Sequence, residues 1–245
     1  MGSNKYLLIS AATSDIGKAI VQKLSQEYNL VLHGRNREKL NDIVKNTYSK
    51  NAIKTWRFDL QEVEGIQLSL KSFLLDSQIE ISGFIHCAGT LRILPIKNFR
   101  LDYCKEIFDV NFFSAVEIIK TLLFKKNNGS LNNIVMISSL ASKKGDKNNS
   151  IYSASKGAID SFVKSIAIEL APRVRVNSVL PSLIKTQISS HLFQNETQTN
   201  EYLRLHPLGE GNCLDIANLV SFLLSNDSKW ITGQNYIIDG GRSLV

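Results

Sequence analysis

The sequence predicts an α/β protein built on one doubly wound parallel sheet of about seven strands, with helices on both faces. Three observations carry this. The chain is 245 residues long, the size of one large α/β domain, and residues 1–245 are read as a single domain. Short apolar runs alternate with amphipathic segments along its whole length. The apolar runs are continuous rather than alternating, as strands covered on both faces require.

Taken in order, Tyr6–Ser10 reads as a buried strand. Ile16–Glu27 reads as a helix with Ile16, Ile20, Val21 and Leu24 on one face. Leu30–Leu32 is a second short strand, Glu38–Lys50 a second helix and Ile53–Phe58 a third strand. A helix over Val63–Leu75 leads to a fourth strand at Gly83–His86, and one long helix is expected over Asp102–Lys125. The strand Asn133–Ser138, the helix Tyr152–Ala171 and the strand Val174–Val179 follow. The helix Leu214–Leu224 and the strand Tyr236–Ile238 end the pattern. Between the last two strands lies a lid-like segment over about 182–206, polar and rich in Ser, Asn, Gln and Thr from Gln187 to His206. Two readings stand side by side: a mobile cover over a ligand, or an ordinary surface excursion.

Composition narrows the classes. No run approaches the roughly 18 apolar residues of a membrane span. The apolar run after Lys5 is too short for a signal core. The cysteines Cys87, Cys104 and Cys213 are far apart, with no paired or His-associated spacing, so neither a disulfide framework nor a metal site is expected. A reducing, cytoplasmic setting is expected. The formal charge of +7 suits an anionic cofactor or substrate. Nucleic acid is not expected as a partner, because no basic run is interleaved with aromatic residues.

The segment Ser10-Ala11-Ala12-Thr13-Ser14-Asp15-Ile16-Gly17 joins the first strand to the first helix. Its small residues let the backbone approach a pyrophosphate, which the helix N-terminus attracts. Thr13 and Ser14 offer hydroxyls, and Asp15 is expected to cap the helix. At the end of the second strand, His33-Gly34-Arg35-Asn36 has no acid to grip a ribose diol. Arg35 and Arg37 stand ready for a 2′-phosphate, so NADP(H) is the expected cofactor, with NAD(H) possible.

Tyr152 and Lys156 are four apart at the start of a predicted helix, which stacks them on one face. A neighbouring ammonium stabilises a phenolate, so Tyr152 is expected to exchange protons as acid or base. Ser139 ends the fifth strand, at the sheet edge where ligands bind, and can hydrogen-bond a carbonyl.

These residues together resemble the short-chain dehydrogenase/reductase family in its form of about 250 residues. The resemblance covers nearly the whole chain. It rests on Ser139, Tyr152 and Lys156 at the family spacing and on Asn111 upstream. It rests also on Asp59-Leu60, Ala88-Gly89, Arg175–Pro181 and Gly233–Gly241 in the family's order. It implies a Rossmann-type fold and a hydride transfer between nicotinamide and a carbonyl or secondary alcohol. Tyr152 would exchange the proton, Lys156 would lower its pKa and hold the nicotinamide ribose, and Ser139 would polarise the carbonyl. Asn111 would fix a water linked to Lys156. Ser10, Thr13, Ser14, Asp15, Ile16 and Gly17 would hold the pyrophosphate, and Arg35 the 2′-phosphate. Asp59 and Leu60 would border the adenine, and Ala88, Gly89, Pro181 and Thr186 would line the nicotinamide half.

The departures are Ala11 and Asp15 in place of two turn glycines, and His86-Cys87 in place of two asparagines. Ala11 demands a negative φ or some strain. His86 is expected to pack and hydrogen-bond locally, and Cys87 to be a small buried apolar residue. Pro181-Ser182 should stiffen the start of the lid. A homotetramer is implied, with Ile107, Val110, Ala115, Ile118, Phe162 and Ile166 shared between sheet and partner. Two other readings stay open: a 3-oxoacyl-(acyl-carrier-protein) reductase, or a non-catalytic dinucleotide-sensing protein.

Overall fold

The computed structural model describes residues 4–124, 127, 129–187, 189–190 and 196–245. Its seven strands are β1 (Lys5–Ser10), β2 (Asn29–Gly34), β3 (Ile53–Arg57), β4 (Glu80–His86), β5 (Asn133–Ile137), β6 (Arg175–Pro181) and β7 (Asn235–Ile238). They form one sheet in the order β3-β2-β1-β4-β5-β6-β7, parallel at every pairing. This is the doubly wound, Rossmann-type sheet the apolar runs predict. The chain leaves β1 on one side toward β2 and returns on the other as β4. That switch point opens a crevice at the C-terminal strand ends.

The helices are α1 (Asp15–Leu24), α2 (Arg37–Asn46), α3 (Ile66–Ser77), α4 (Leu101–Phe108), α5 (Ser114–Leu123), α6 (Ser150–Leu170), α7 (Glu196–Arg204) and α8 (Cys213–Leu224). Strand periodicity splits the core between the two faces. Leu8, Phe84 and Ile134 point to the side covered by α3, α5 and α6, where Leu70, Ile118 and Val163 meet them. Leu7, Ile9 and Val135 point to the side covered by α1, α2 and α8, where Ile20, Leu40 and Val220 are buried. Fully burying each such side chain contributes roughly 1.5–3 kcal/mol. Side-chain caps begin three helices: Ser14 for α1, Asn36 for α2, and Asn212 for α8 with a reciprocal bond from Asp215.

Four expectations are corrected. The long helix of 102–125 is two helices, α4 and α5, separated by a π-turn over Asp109–Phe113. There the Ser114 N–H reaches back five residues to the Asp109 carbonyl. Phe124 turns extended and closes α5, and Lys125 lies outside the described residues. The segment read only as a lid contains α7, while 188 and 191–195 of it lie outside the described residues. Glu38–Lys50 is too long a reading of α2, because the chain turns extended at Thr47. Finally, Ile107, Ala115, Ile118 and Ile166 are buried within the monomer, and Val110 and Phe162 pack against the same core. The four buried residues serve the sheet, while Val110 and Phe162 are only partly buried and keep some outer surface. The exposed apolar residues of these helices are instead Leu101, Phe113 and Ile168.

Candidate active site

A cavity of about 580 Å³ opens at the C-terminal ends of the central strands. It runs from Ser14, Asp15 and Ile16 in the β1–α1 turn to Ser139, Tyr152 and Lys156, and on to Thr186. Residues placed apart in the sequence therefore share one space. Part of the predicted turn, Gly89, Pro181 and Thr186 are brought together with Ser139, Tyr152 and Lys156, while Arg35, Asp59, Leu60 and Asn111 lie outside the cavity wall.

The β1–α1 turn is tight because it must be. Gly17 faces the turn backbone, and a Cβ there would collide with the Ala11 carbonyl oxygen. Ala11 takes the left-handed conformation, with φ of 47°, so the strain foreseen for it is present. An alanine there costs about 1–2 kcal/mol, partly offset by its lower unfolded-chain entropy relative to glycine. Ala11→Gly is expected to raise unfolding free energy by about 0.5–1 kcal/mol. A urea midpoint unchanged or lower in the variant refutes the strain.

Asp15 does not cap α1. The cap is Ser14, whose Oγ accepts from Gly17 N at 3.1 Å and donates to the Ala11 carbonyl at 2.8 Å. The Ser14 hydroxyl proton is thus used inside the turn and is not offered outward. The Asp15 carboxylate instead accepts the Gln187 N–H at 2.7 Å, joining the phosphate turn to the start of the lid. Ser10 is also corrected. It is completely buried, and its Oγ accepts from Cys87 N and Ala88 N at 2.9 and 3.1 Å. It can act on a ligand only through the residues it holds. Thr13 is absent from the cavity wall and instead crowds Gly34.

At the end of β2, a Cβ on Gly34 would press on the Leu40 and Thr13 side chains at 3.2 Å. Arg35 is exposed, with Nη1 3.5 Å from Asp59 Oδ2. Leu60 is buried in the core and supports this edge from below. His33, buried between the turn and β3, accepts from Ala11 N at 3.2 Å through Nδ1. Its Nε2 donates to the Phe58 carbonyl at 3.1 Å. Burial lowers its pKa to about 4.

The predicted catalytic group converges. Ser139, extended at the end of β5, starts a short 3₁₀ turn and accepts from Ala141 N at 3.2 Å. It also hydrogen-bonds the Tyr152 phenol. Lys156 lies one turn after Tyr152, its Nζ 5.7 Å from the Tyr152 ring centre and bonded to the Ile137 carbonyl at 2.9 Å. Burial lowers the Lys156 pKa to about 8, against the upward pull of Cys87 and Asp160. The expectation for Tyr152 is corrected: burial raises its pKa, and the bond with Ser139 opposes the rise. The ammonium that was to lower it is held by a carbonyl.

Asn111 sits in the π-turn, a form that often marks working sites. Its side chain is committed: Oδ1 accepts Thr90 N at 2.7 Å, and Nδ2 donates to the Thr90 carbonyl at 3.0 Å and to Ser155 Oγ at 2.9 Å. Its amide therefore fixes the Gly89-Thr90 loop and α6 rather than reaching Lys156 itself. Ala88 is buried. Gly89 faces the cavity, where a Cβ would stand 3.5 Å from Lys156 Nζ. Cys87 packs against the core, as the reading of it as a small apolar residue expects, but is only half-buried and also lines the cavity. Burial pushes its thiol up to about 12, so it is protonated.

The sequence reading missed the far wall. Arg242, from the C-terminal turn, donates to Tyr202 Oη and pairs with Asp146 at 3.5 Å. Ser182 bonds Tyr202 Oη at 3.1 Å and His206 Nε2 at 2.9 Å. The residue after Pro181 thus ties both ends of the lid together. Thr186 is held by Ser189, through its N–H at 2.9 Å and its hydroxyl at 3.0 Å. No local pattern marks Tyr202 or Arg242, because each acts across the fold.

A sheet switch point with a small-residue turn, and a Ser-Tyr-Lys group in the same cavity, define a dinucleotide-dependent oxidoreductase. The family model described as enoyl-(acyl carrier protein) reductase matches residues 10–243. The chain is 32% identical to a 3-oxoacyl-(acyl-carrier-protein) reductase of Rickettsia prowazekii, over 99% of this chain and 98% of that protein. It is 30% identical to carbonyl reductase family member 4 of Xenopus laevis, over 98% and 99% of the two chains. Among solved structures, 4-hydroxyisoleucine dehydrogenase complexed with NADH superposes with a TM-score of 0.90 at 27% identity, covering 99% and 100% of the chains. The chain belongs to the short-chain dehydrogenase/reductase family, and it is an NAD(P)-dependent oxidoreductase.

Proposed function

We propose that this protein is an NADP(H)-dependent reductase of a small carbonyl compound, and the reverse dehydrogenase of the secondary alcohol. The observation that carries the reading is the single cavity in which Ser139, Tyr152 and Lys156 meet the β1–α1 turn. When bound, the cofactor supplies the hydride. The chain's own residues do the rest. Ser139, linked to Tyr152, orients the carbonyl oxygen toward the phenol. Tyr152, its pKa raised by burial, is neutral near pH 7 and gives its proton to that oxygen. Lys156 lies beside Tyr152 and Gly89, positioned for a ribose. Asn111 holds the loop and helix that carry these groups. Ile16, Gly17, Ala88, Gly89, Pro181 and Thr186 hold the cofactor by shape, and Asp59 and Leu60 border its adenine.

A second reading has support of its own. Leu91, Ile93, Leu140, Leu183 and Ile184 line the cavity, an apolar wall that an acyl chain suits better than the polar lid suggests. A relative named as a 3-oxoacyl-(acyl-carrier-protein) reductase points the same way. Turnover of a panel of ketones, sugars and 3-oxoacyl thioesters, followed by the absorbance of reduced nicotinamide, decides between them. No turnover with any of them, together with tight cofactor binding, favours a dinucleotide sensor.

The preference for NADPH rests on Gly34 and Arg35. A guanidinium binds phosphate through two parallel hydrogen bonds, and the exposed 3.5 Å pair with Asp59 is weak enough to yield to it. We expect NADPH to bind at least about tenfold tighter than NADH, or about 1.4 kcal/mol. Arg35→Ala should remove most of that difference and leave NADH almost unchanged. Equal wild-type affinities in a titration of both cofactors refute this.

A homotetramer follows from the family, and Leu101, Phe113 and Ile168 give it exposed apolar area. A monomer mass by light scattering at micromolar concentration excludes it. A cytoplasmic setting is consistent with three free cysteines among the described residues.

A further inference from the structure

We propose that His86 is a positioning residue of this site, held in the Nε2–H tautomer as the middle link of a one-way hydrogen-bond chain from the phosphate turn to Tyr152. The argument begins at Ser10. A hydroxyl has one proton and two acceptor sites. Ser10 Oγ accepts from both Cys87 N and Ala88 N, so its proton must go elsewhere. The remaining neighbour is His86 Nδ1 at 3.1 Å. Nδ1 is then a bare acceptor, and the ring proton resides on Nε2. There it meets the Asn111 carbonyl at 3.2 Å, which can only accept.

The chain continues in the same sense. Asn111 Nδ2 donates to Ser155 Oγ at 2.9 Å, and Ser155 Oγ donates to the Tyr152 carbonyl at 2.7 Å. Ser10, His86, Asn111 and Ser155 are all completely buried. Asn111 joins the two halves mechanically, through its backbone carbonyl on one side and its side-chain amide on the other. A broken link would leave a polar group unpaired in a fully buried place, which is costly. The opposite tautomer would leave Ser10 without an acceptor. It would also set a nitrogen lone pair against the Asn111 carbonyl.

Placement gives the chain its consequence. Ser10 ends β1 beside the phosphate turn, and His86 pairs with it in register at the end of β4. Asn111 occupies the π-turn, and Ser155 sits between Tyr152 and Lys156 on α6. His86 thus joins the cofactor edge to the helix carrying the proton-exchanging pair. Protonation would destroy the Nδ1 bond, and the fold resists it. Burial and the nearby Lys156 ammonium hold the His86 pKa down to about 3, with His33 adding to this and the Asn111 and Val110 carbonyls opposing it.

The direct test is imidazole ¹⁵N NMR of the wild-type protein, with His86 assigned by the signals lost in His86→Gln. We expect a protonated Nε2 and a bare Nδ1, unchanged from pH 8 to pH 5. A protonated Nδ1, or titration near the ordinary histidine value, overturns the proposal. Ser10→Ala removes the Nδ1 partner and leaves the Asn111 carbonyl in place, so Nε2 should stay protonated while the Nδ1 resonance moves. An unmoved Nδ1 resonance there also overturns the proposal.

The kinetic arm rests on the reductase reading. His86→Gln can keep the bond to Asn111 but not the one to Ser10, and His86→Phe keeps neither. We expect kcat to fall at least about tenfold in the Phe variant with KM for cofactor little changed, and less in the Gln variant, since small misplacements cost up to roughly a hundredfold. Lower thermal stability with unchanged kcat and pH profile in both variants makes His86 merely structural and refutes positioning. If wild type turns over no carbonyl, the reductase reading fails while the NMR result still decides the tautomer chain.

Discussion

Tyr152→Phe is expected to reduce turnover by at least about two orders of magnitude, the scale of general acid catalysis. The change removes one oxygen and its proton and keeps the ring that fills the cavity wall. The phenol is bound to Ser139 and buried, and burial raises its pKa. It is therefore a proton donor near neutral pH, which suits the reductive direction. Lys156 keeps its bond to the Ile137 carbonyl without help from the phenol, so the ribose side of the cavity should survive. Cofactor affinity, read by quenching of protein fluorescence, should stay within about twofold of wild type, or roughly 0.4 kcal/mol. Near-normal turnover in the Phe variant removes Tyr152 from the mechanism. A loss of cofactor affinity as large as the loss of turnover makes it a binding residue instead.

What the sequence disclosed about this site follows from how far each interaction reaches. Tyr152 and Lys156 were legible because four residues make one helical turn, and a local spacing survives folding intact. The strands were legible because a sheet covered on both faces needs continuous apolar runs such as Leu7-Leu8-Ile9. The π-turn was not, because one extra residue per turn at Asp109–Phe113 leaves the apolar pattern of the flanking helices almost unchanged. Asp15 was misread because capping is local, whereas its actual partner, Gln187 N, is 172 residues away. Arg242 and Tyr202 were invisible for the same reason. Ile107 and Ile118 were assigned partly to a partner because a periodic apolar face does not say what covers it. His33 and His86 stood in plain view at two strand ends. Their meaning depends on which atoms face each ring nitrogen, and only the fold supplies that.

Those two histidines set the largest expected response to pH. Folded, their pKa values are about 4 for His33 and about 3 for His86. In the unfolded chain both return to about 6.5. Below pH 6.5 the unfolded state therefore binds protons that the folded state refuses, and stability falls as pH falls. Each histidine contributes a slope approaching 1.4 kcal/mol per pH unit, or about 2.7 for the pair, until its folded pKa is reached. Between pH 6.5 and pH 5 the loss should reach roughly 3 kcal/mol, a large share of the 5–15 kcal/mol that holds a typical domain together. Both rings carry a bond that protonation abolishes, His33 from Ala11 N and His86 from Ser10 Oγ. Between pH 6.5 and pH 5 the folded rings stay neutral, so both bonds and the cofactor affinity should hold while global stability falls. Urea unfolding at half-unit steps of pH reads the slope directly. His86→Gln should roughly halve it, since one of the two proton-refusing sites is gone. A wild-type midpoint that stays level from pH 6.5 to pH 5 means that both rings accept protons in the folded state. The neutral, fixed tautomers on which the site is built would then be wrong.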